Sequence, residues 1–135
     1  MRRKFSALVL VLPLLLVFGA CDNNDPNPPA GPDFLNIEFL NPLNGDAVSG
    51  PVTVQVRWTG LELDCAGIGG PNVAGHGHWH FYLDGEYKDL SCTDRLTFDF
   101  TGVSAGKHHL TAELVRNDHT PIDQNKSAHI SVTVQ

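Results

Sequence analysis

Basic residues are scarce in this chain. Lys and Arg number 9 against 15 Asp and Glu, giving a formal net charge of -6 over 135 residues. That balance argues against nucleic acid as a partner, because phosphate binding needs a basic face. Methionine is nearly absent: Met1 is the only one, which excludes a Met-rich Cu(I) site. A convincing helical period is missing throughout. The Asp and Glu residues are scattered over turns, so no paired-carboxylate or Ser-His-Asp constellation stands out. Cysteines number 3; disulfides consume them in pairs, so one must have another use. Hydrophobic residues make up 41% and charged residues 18%, enough apolar content to fold. The length allows one domain at roughly 100–200 residues each.

The amino-terminal region reads as an address. Arg2, Arg3 and Lys4 are followed by a mostly apolar run to Phe18, then by small Gly19 and Ala20 before Cys21. A basic start, an apolar stretch and a small-residue cleavage site make a secretory signal peptide, expected over residues 1–20. The apolar run falls short of the ~20 residues of a spanning helix. Phe18-Gly19-Ala20-Cys21 resembles the lipobox of bacterial lipoproteins, with Phe where the family prefers Leu. The resemblance implies cleavage before Cys21, lipidation of its thiol, and a membrane anchor in the cell envelope. Each buried methylene of the acyl chains would contribute about 0.8 kcal/mol. Loss of Arg2, Arg3 and Lys4 leaves 6 basic residues against 15 acidic ones, so the exported chain carries -9.

Residues 21–33 comprise the cysteine and a Pro- and Asn-rich stretch with no large apolar side chain. Such a segment cannot form a core and serves as a semi-stiff tether. Residues 34–135 change character. Leu35, Ile37 and Phe39 alternate with polar residues, as do Val52, Val54, Val56 and Trp58. Trp79, Phe81 and Leu83 alternate with His78, His80 and Tyr82. Asp84-Gly85 marks a hairpin whose second arm is residues 86–90. Leu96, Phe98 and Phe100, then Leu110, Ala112 and Leu114, then Ile130, Val132 and Val134 repeat the period of two. About seven short strands separated by Gly, Pro, Asn and Asp turns predict an all-β, antiparallel sandwich.

Two stretches carry a resemblance. Phe39-Leu40-Asn41-Pro42-Leu43-Asn44-Gly45-Asp46 with Pro51-Val52-Thr53-Val54 is similar to the opening of bacterial immunoglobulin-like modules. Ser104-Ala105-Gly106-Lys107-His108-His109-Leu110 is similar to their turn and sixth strand. The resemblance implies an immunoglobulin-like sandwich in which Trp79 packs in the core. The usual cysteine pair of the second and sixth strands is absent. Cys65 and Cys92 instead fall at the same end of the implied sandwich, and a bridge between them is expected in an exported protein. It would close a loop of about 27 residues and add roughly 3 kcal/mol. Two free thiols, or thiolate ligation of a metal, are the alternatives.

All seven histidines lie from His76 to His129. In a strand, His76, His78 and His80 share one face, opposite Trp79 and Phe81. The implied topology brings Glu113, His119 and His129 to the same end of the same sheet. Asp118 and Asp123 are expected as outer oxygens, and His108 and His109 fall toward the other end. Neutral imidazoles suit zinc and copper. A bridged cysteine pair leaves no thiolate for a blue-copper centre, so Cu(II) or Zn(II) is expected on His76, His78, His80, Glu113, His119 and His129. Binding is expected to weaken as pH falls through about 6.5.

Two other functions compete. An immunoglobulin-like adhesion or interaction module would bind a protein partner and no metal, its histidines merely solvated. The alternation of His76 to His80 also looks faintly similar to copper-zinc superoxide dismutases. Their later histidine motifs and arginine are not recognisable here, so no residue carries over, and the expectation is a binding module rather than an enzyme.

Overall fold

The computed structural model describes residues 35–122 and 126–135. The expected signal segment, Cys21, the tether and Asp123 lie outside the described residues. Within them the chain is an all-β sandwich of immunoglobulin-like type. Its strands are β1 (Asn36–Asn41), β2 (Ala47–Val48), β3 (Pro51–Thr59), β4 (Glu62–Leu63), β5 (His76–Leu83), β6 (Glu86–Ser91), β7 (Arg95–Asp99), β8 (Gly106–Val115) and β9 (Ser127–Val134). One sheet has the order β1-β3-β7; the other runs β2-β9-β8-β5-β4, with β6 also pairing β5.

The seven expected strands are all present. The two additional ones, β2 and β4, are two residues long and pair in parallel with β9 and β5. Segments that short show no period, so alternation cannot reveal them.

Alternation sets the core. Ile37 and Phe39, Val54 and Val56, Trp79, Phe81 and Leu83, Leu110, Ala112 and Leu114, and Val132 and Val134 all face inward and are buried. The Trp79 indole donates to the carbonyl of Thr93 at 2.7 Å, so its polar edge is satisfied as burial requires. The hairpin at Asp84-Gly85 has positive φ at both residues, 52° and 81°, as a type I′ turn demands.

Strand β5 departs from the pattern. It is buried on both faces over residues 77–81, and His78 and His80, on the outer face, are only 0% and 7% exposed. Its pairing with β8 sets His78 opposite Val115, His80 opposite Glu113 and Tyr82 opposite Thr111. The bridge Cys65–Cys92 is present, with Cα atoms 5.3 Å apart. It joins the segment after β4 to the residue after β6.

Gly77 sits between two of the histidines for a steric reason. A β-carbon there would collide with the carbonyl oxygen of Val115 on β8 and press on Leu61. Backbone cannot yield as a flexible side chain does. Gly77→Ala is therefore expected to destabilise the domain by about 1–3 kcal/mol, the usual cost of overpacking. Chemical denaturation checks this; an unchanged midpoint would show that β5 can shift to admit a methyl group.

Candidate metal centre

Three ring nitrogens converge on the outer face of β5. His78 Nε2 lies 3.1 Å from His80 Nε2 and 3.2 Å from His119 Nδ1. His80 Nε2 lies 3.0 Å from the same His119 nitrogen. The strand period supplies His78 and His80 on one side. His119 comes from the turn after β8 and folds back over them. The two strand rings are buried and the third is exposed, so the triangle is reached from the side of the turn.

That turn is tightly specified. The Arg116 amide donates to the Thr120 carbonyl at 2.8 Å, and the His119 amide to the Arg116 carbonyl at 2.9 Å. Asp118 accepts from the Thr120 hydroxyl and amide at 2.6 and 2.9 Å, which holds its carboxyl below the ordinary value. His119 has φ 67°, a conformation few side-chain-bearing residues adopt.

Hydrogen bonding alone cannot account for the triangle. A neutral imidazole nitrogen is either an N–H donor or a lone-pair acceptor. Three atoms of two kinds contain at least one like pair, two donors or two lone pairs facing each other. A cation at the centre makes all three lone pairs favourable together. The spacing fits as well, since nitrogens about 2.0–2.1 Å from a tetrahedral metal lie roughly 3.3–3.4 Å apart.

The protonation states suit that role. Burial, then the neighbouring charge of His119, lowers His78 from 6.5 to about 4. Burial, then His78 and His119, lowers His80 to about 4 as well. Both rings are therefore neutral at pH 7, each with a lone pair to offer. Proton uptake on these two rings moves from the expected 6.5 to about 4.

A chain of hydrogen bonds sets the His80 tautomer. The Tyr82 hydroxyl donates to Glu113 Oε2 at 2.9 Å, which consumes its only proton. Its oxygen lies 3.3 Å from His80 Nδ1 and so accepts from an Nδ1–H. Nε2 is then the unprotonated nitrogen, turned toward the triangle. Burial first, and the bond to Glu113 second, raise Tyr82 to about 12. Among the described residues His78 Nδ1 is buried without a partner, as are both side-chain polar atoms of Asn117.

The other expected ligands stand apart. His76 lies beside β4, its Nδ1 3.8 Å from Asp64 and its Nε2 4.0 Å from Glu62. His129 is engaged through Nδ1 with Thr111 and through Nε2 with Ser127, each at 2.9 Å. Glu113 acts through Tyr82 rather than at the triangle. Asp118 turns to Thr120 and Asn72. His108 contacts Asp84 at 2.6 Å and His109 contacts Ser131 at 3.1 Å, both toward the far end of the face. A groove of about 230 Å³ lined by Tyr82, Gly85, Thr111, Glu113, Ser127 and His129 runs along the face beside Tyr82. The bond of Tyr82 to Glu113 and that of Asn72 to Asp118 have no signal in the sequence.

No protein-family model and no curated protein matches the chain. Among solved structures it is similar to the fibronectin(III)-like modules of Clostridium thermocellum CbhA, at 10% identity over 73% of this chain and 95% of that one, with TM-score 0.48. It is also similar to an endo-beta-1,4-mannanase from Thermotoga petrophila, at 14% identity and TM-score 0.49, over 75% of this chain but 20% of that one. A CARDB domain from Pyrococcus furiosus in complex with di-metal ions gives 20% identity and TM-score 0.43, over 78% of this chain and 94% of that one. These are likenesses of fold, and no function passes from them to this chain.

The lowered histidines give a stability signature without metal. Glu113 from β8, Tyr82 on β5, Tyr87 from β6 and the His119 turn surround them. The unfolded chain takes up protons on these imidazoles near 6.5, whereas the folded domain resists until about 4. Stability from this source is full above 6.5, declines as pH falls, and stops declining below about 4. Thermal midpoints of chelator-treated protein are expected to fall between roughly pH 7 and pH 4.5, less so in a His78→Ala/His80→Ala variant. An equal fall in both proteins would assign the effect to other groups.

Proposed function

We propose that this chain is a membrane-tethered, extracytoplasmic module whose sandwich binds a divalent transition metal, Cu(II) or Zn(II), through His78, His80 and His119. The observation that carries the reading is the nitrogen triangle, which no pattern of protons satisfies and a cation does. Imidazole donors suit both metals, and Cu(II) stands higher in the affinity order. The bridged cysteines offer no thiolate, which removes a blue-copper centre. Glu113 and Tyr82 support the site from outside, as oriented outer partners do in metal sites. Export and lipidation at Cys21 belong to the same proposal and rest on the basic-apolar-small segment before that cysteine. An interaction module is the second reading, favoured by Tyr87, 47% exposed beside the histidines.

Elemental analysis and intact mass of native protein purified without a histidine tag report metal, lipid and disulfide together. Titration of the metal-free domain with Cu(II) and Zn(II) is expected to give a Kd well below millimolar, with binding lost in His78→Ala/His80→Ala. Affinity no better than millimolar, or unchanged in that variant, sinks the reading. A superoxide dismutation assay on the loaded form is expected to stay at the level of the double variant; a rate well above it would favour an enzyme.

The relay makes a separate prediction. Glu113→Gln can donate from its amide to the Tyr82 oxygen, turning the hydroxyl proton toward His80 Nδ1 and placing the histidine's own proton on Nε2. Zn(II) affinity is expected to fall by about 10–100-fold, as for lost outer partners of metal ligands. Competition with a chromophoric chelator measures it, and unchanged affinity would show that Glu113 does not set the tautomer.

A further inference from the structure

The third ligand differs from the other two in how it is held. His78 and His80 stand on a paired strand, whereas His119 rides on a turn. Residues 64–72 lie against that turn and grip it at two consecutive residues. The Gly69 amide donates to the Asn117 carbonyl at 2.7 Å. Asn72 Nδ2 donates to Asp118 Oδ2 at 2.7 Å, and the Asp118 amide donates back to Asn72 Oδ1 at 3.1 Å. The Asn117 side chain, fully buried, packs on Gly67 so closely that a β-carbon at Gly67 would collide with it.

Residues 64–72 have little regular structure of their own. Asp64 Oδ1 accepts from the amides of Ala66 and Gly67 at 3.0 and 3.1 Å, and its own amide pairs with the Gly77 carbonyl at 2.8 Å. Beyond that start the covalent attachment is Cys65, bridged to Cys92. Cys92 follows Ser91, whose hydroxyl donates to the Arg95 carbonyl at 2.8 Å. A continuous path therefore runs from the β6–β7 connection through the bridge to residues 64–72, to Asn117 and Asp118, and to His119.

We propose that the Cys65–Cys92 bridge and Asn72 are positioning elements that set the metal affinity of the site by fixing the turn that carries His119. This rests on the reading of the triangle as a metal site. With the clamp released, His78 and His80 remain in place while the third imidazole is no longer held over them. The turn's own bonds, Arg116 to Thr120 and the bridge between Val115 and Pro121, are the rival restraint, and they alone would suffice if the clamp were idle. A ligand held by preorganised neighbours loses less freedom on binding, so the clamp acts on affinity rather than on ligand identity.

The experiment compares the mature chain with Cys65→Ser/Cys92→Ser, Asn72→Ala, His119→Asn, and the bridge and His119 changes combined. His119→Asn removes the imidazole while keeping a residue that tolerates positive φ. The probes are Zn(II) affinity by chelator competition and the count of coordinating imidazoles from the paramagnetic resonance of Cu(II). Circular dichroism at the working temperature establishes that each variant is folded, and Asn72→Ala keeps the bridge should the serine pair fail. Both clamp variants are expected to bind about 10–100-fold more weakly, with fewer imidazoles on copper. In the His119→Asn background the bridge change is expected to cost nothing more, because coupled changes are non-additive. Wild-type affinity retained by both clamp variants overturns the clamp and leaves the metal reading intact. Equal losses with and without His119 overturn it too, by showing a general structural effect. Wild type that binds no better than millimolar overturns the metal reading itself.

Discussion

Three imidazole nitrogens within 3.2 Å of one another impose the constraint on which the rest depends. Each nitrogen is a donor or an acceptor, and a triangle cannot alternate. Water relieves such a conflict on an open surface. Here His78 and His80 are nearly sealed, so the conflict is retained inside the folded domain. Two sets of neighbours answer to it, one that holds the triangle together and one that decides which nitrogen carries a proton. The Glu113–Tyr82–His80 chain does the second, and the turn at residues 116–121 does the first.

Strand β5 links that constraint to the stability of the sandwich. Its inward face carries Trp79, Phe81 and Leu83, all in the core. Its outward face carries the two strand-borne histidines of the triangle. The positions of His78 and His80 are therefore fixed by the same packing that fixes Trp79 and Phe81. Strands β8 and β6 pair along its two edges, which leaves it little room to slide. A one-residue slip would exchange the histidines with the core aromatics, so register and site are specified by one set of contacts. Gly77 belongs to the same arrangement, because the approach to Val115 at the head of the strand leaves no space for a side chain.

The sandwich is legible in the sequence because alternation over Val52 to Trp58 or Leu110 to Leu114 has one physical reading. The facing of His78 and His80 away from Trp79 follows from the same period, and the topology implied by resemblance puts His119 at their end of the sheet. What is not legible is distance. Glu113 lies directly opposite His80 and is taken up by Tyr82. His129 lies on the expected face, yet adjacent strands are about 4.8 Å apart and β9 is two steps from β5, roughly 9–10 Å. His129 is therefore spent on Thr111 and Ser127. His76 is lost to the site for a different reason. The two-residue strand β4, invisible to pattern, pairs beside it and brings Glu62, and Asp64 just after it, to the imidazole. The grip of Asn72 on Asp118 arises from a contact between distant loops, on which local composition is silent.

Burial of the two strand histidines has an unfavourable and a favourable side, and both come from desolvation. Enclosing imidazoles without water disfavours their charged forms, and His78 keeps an outer nitrogen with no partner among the described residues. An unsatisfied buried polar atom costs about 1–3 kcal/mol. The same desolvation brings both rings down to about 4, so a metal arriving at neutral or mildly acidic pH meets neutral rings at both. Solvated histidines near 6.5 would lose that competition roughly two to three pH units earlier. A face of merely solvated histidines has no reason to accept the cost of burial. The enclosure of His78 and His80, more than the number of histidines, is what separates the triangle from a polar surface.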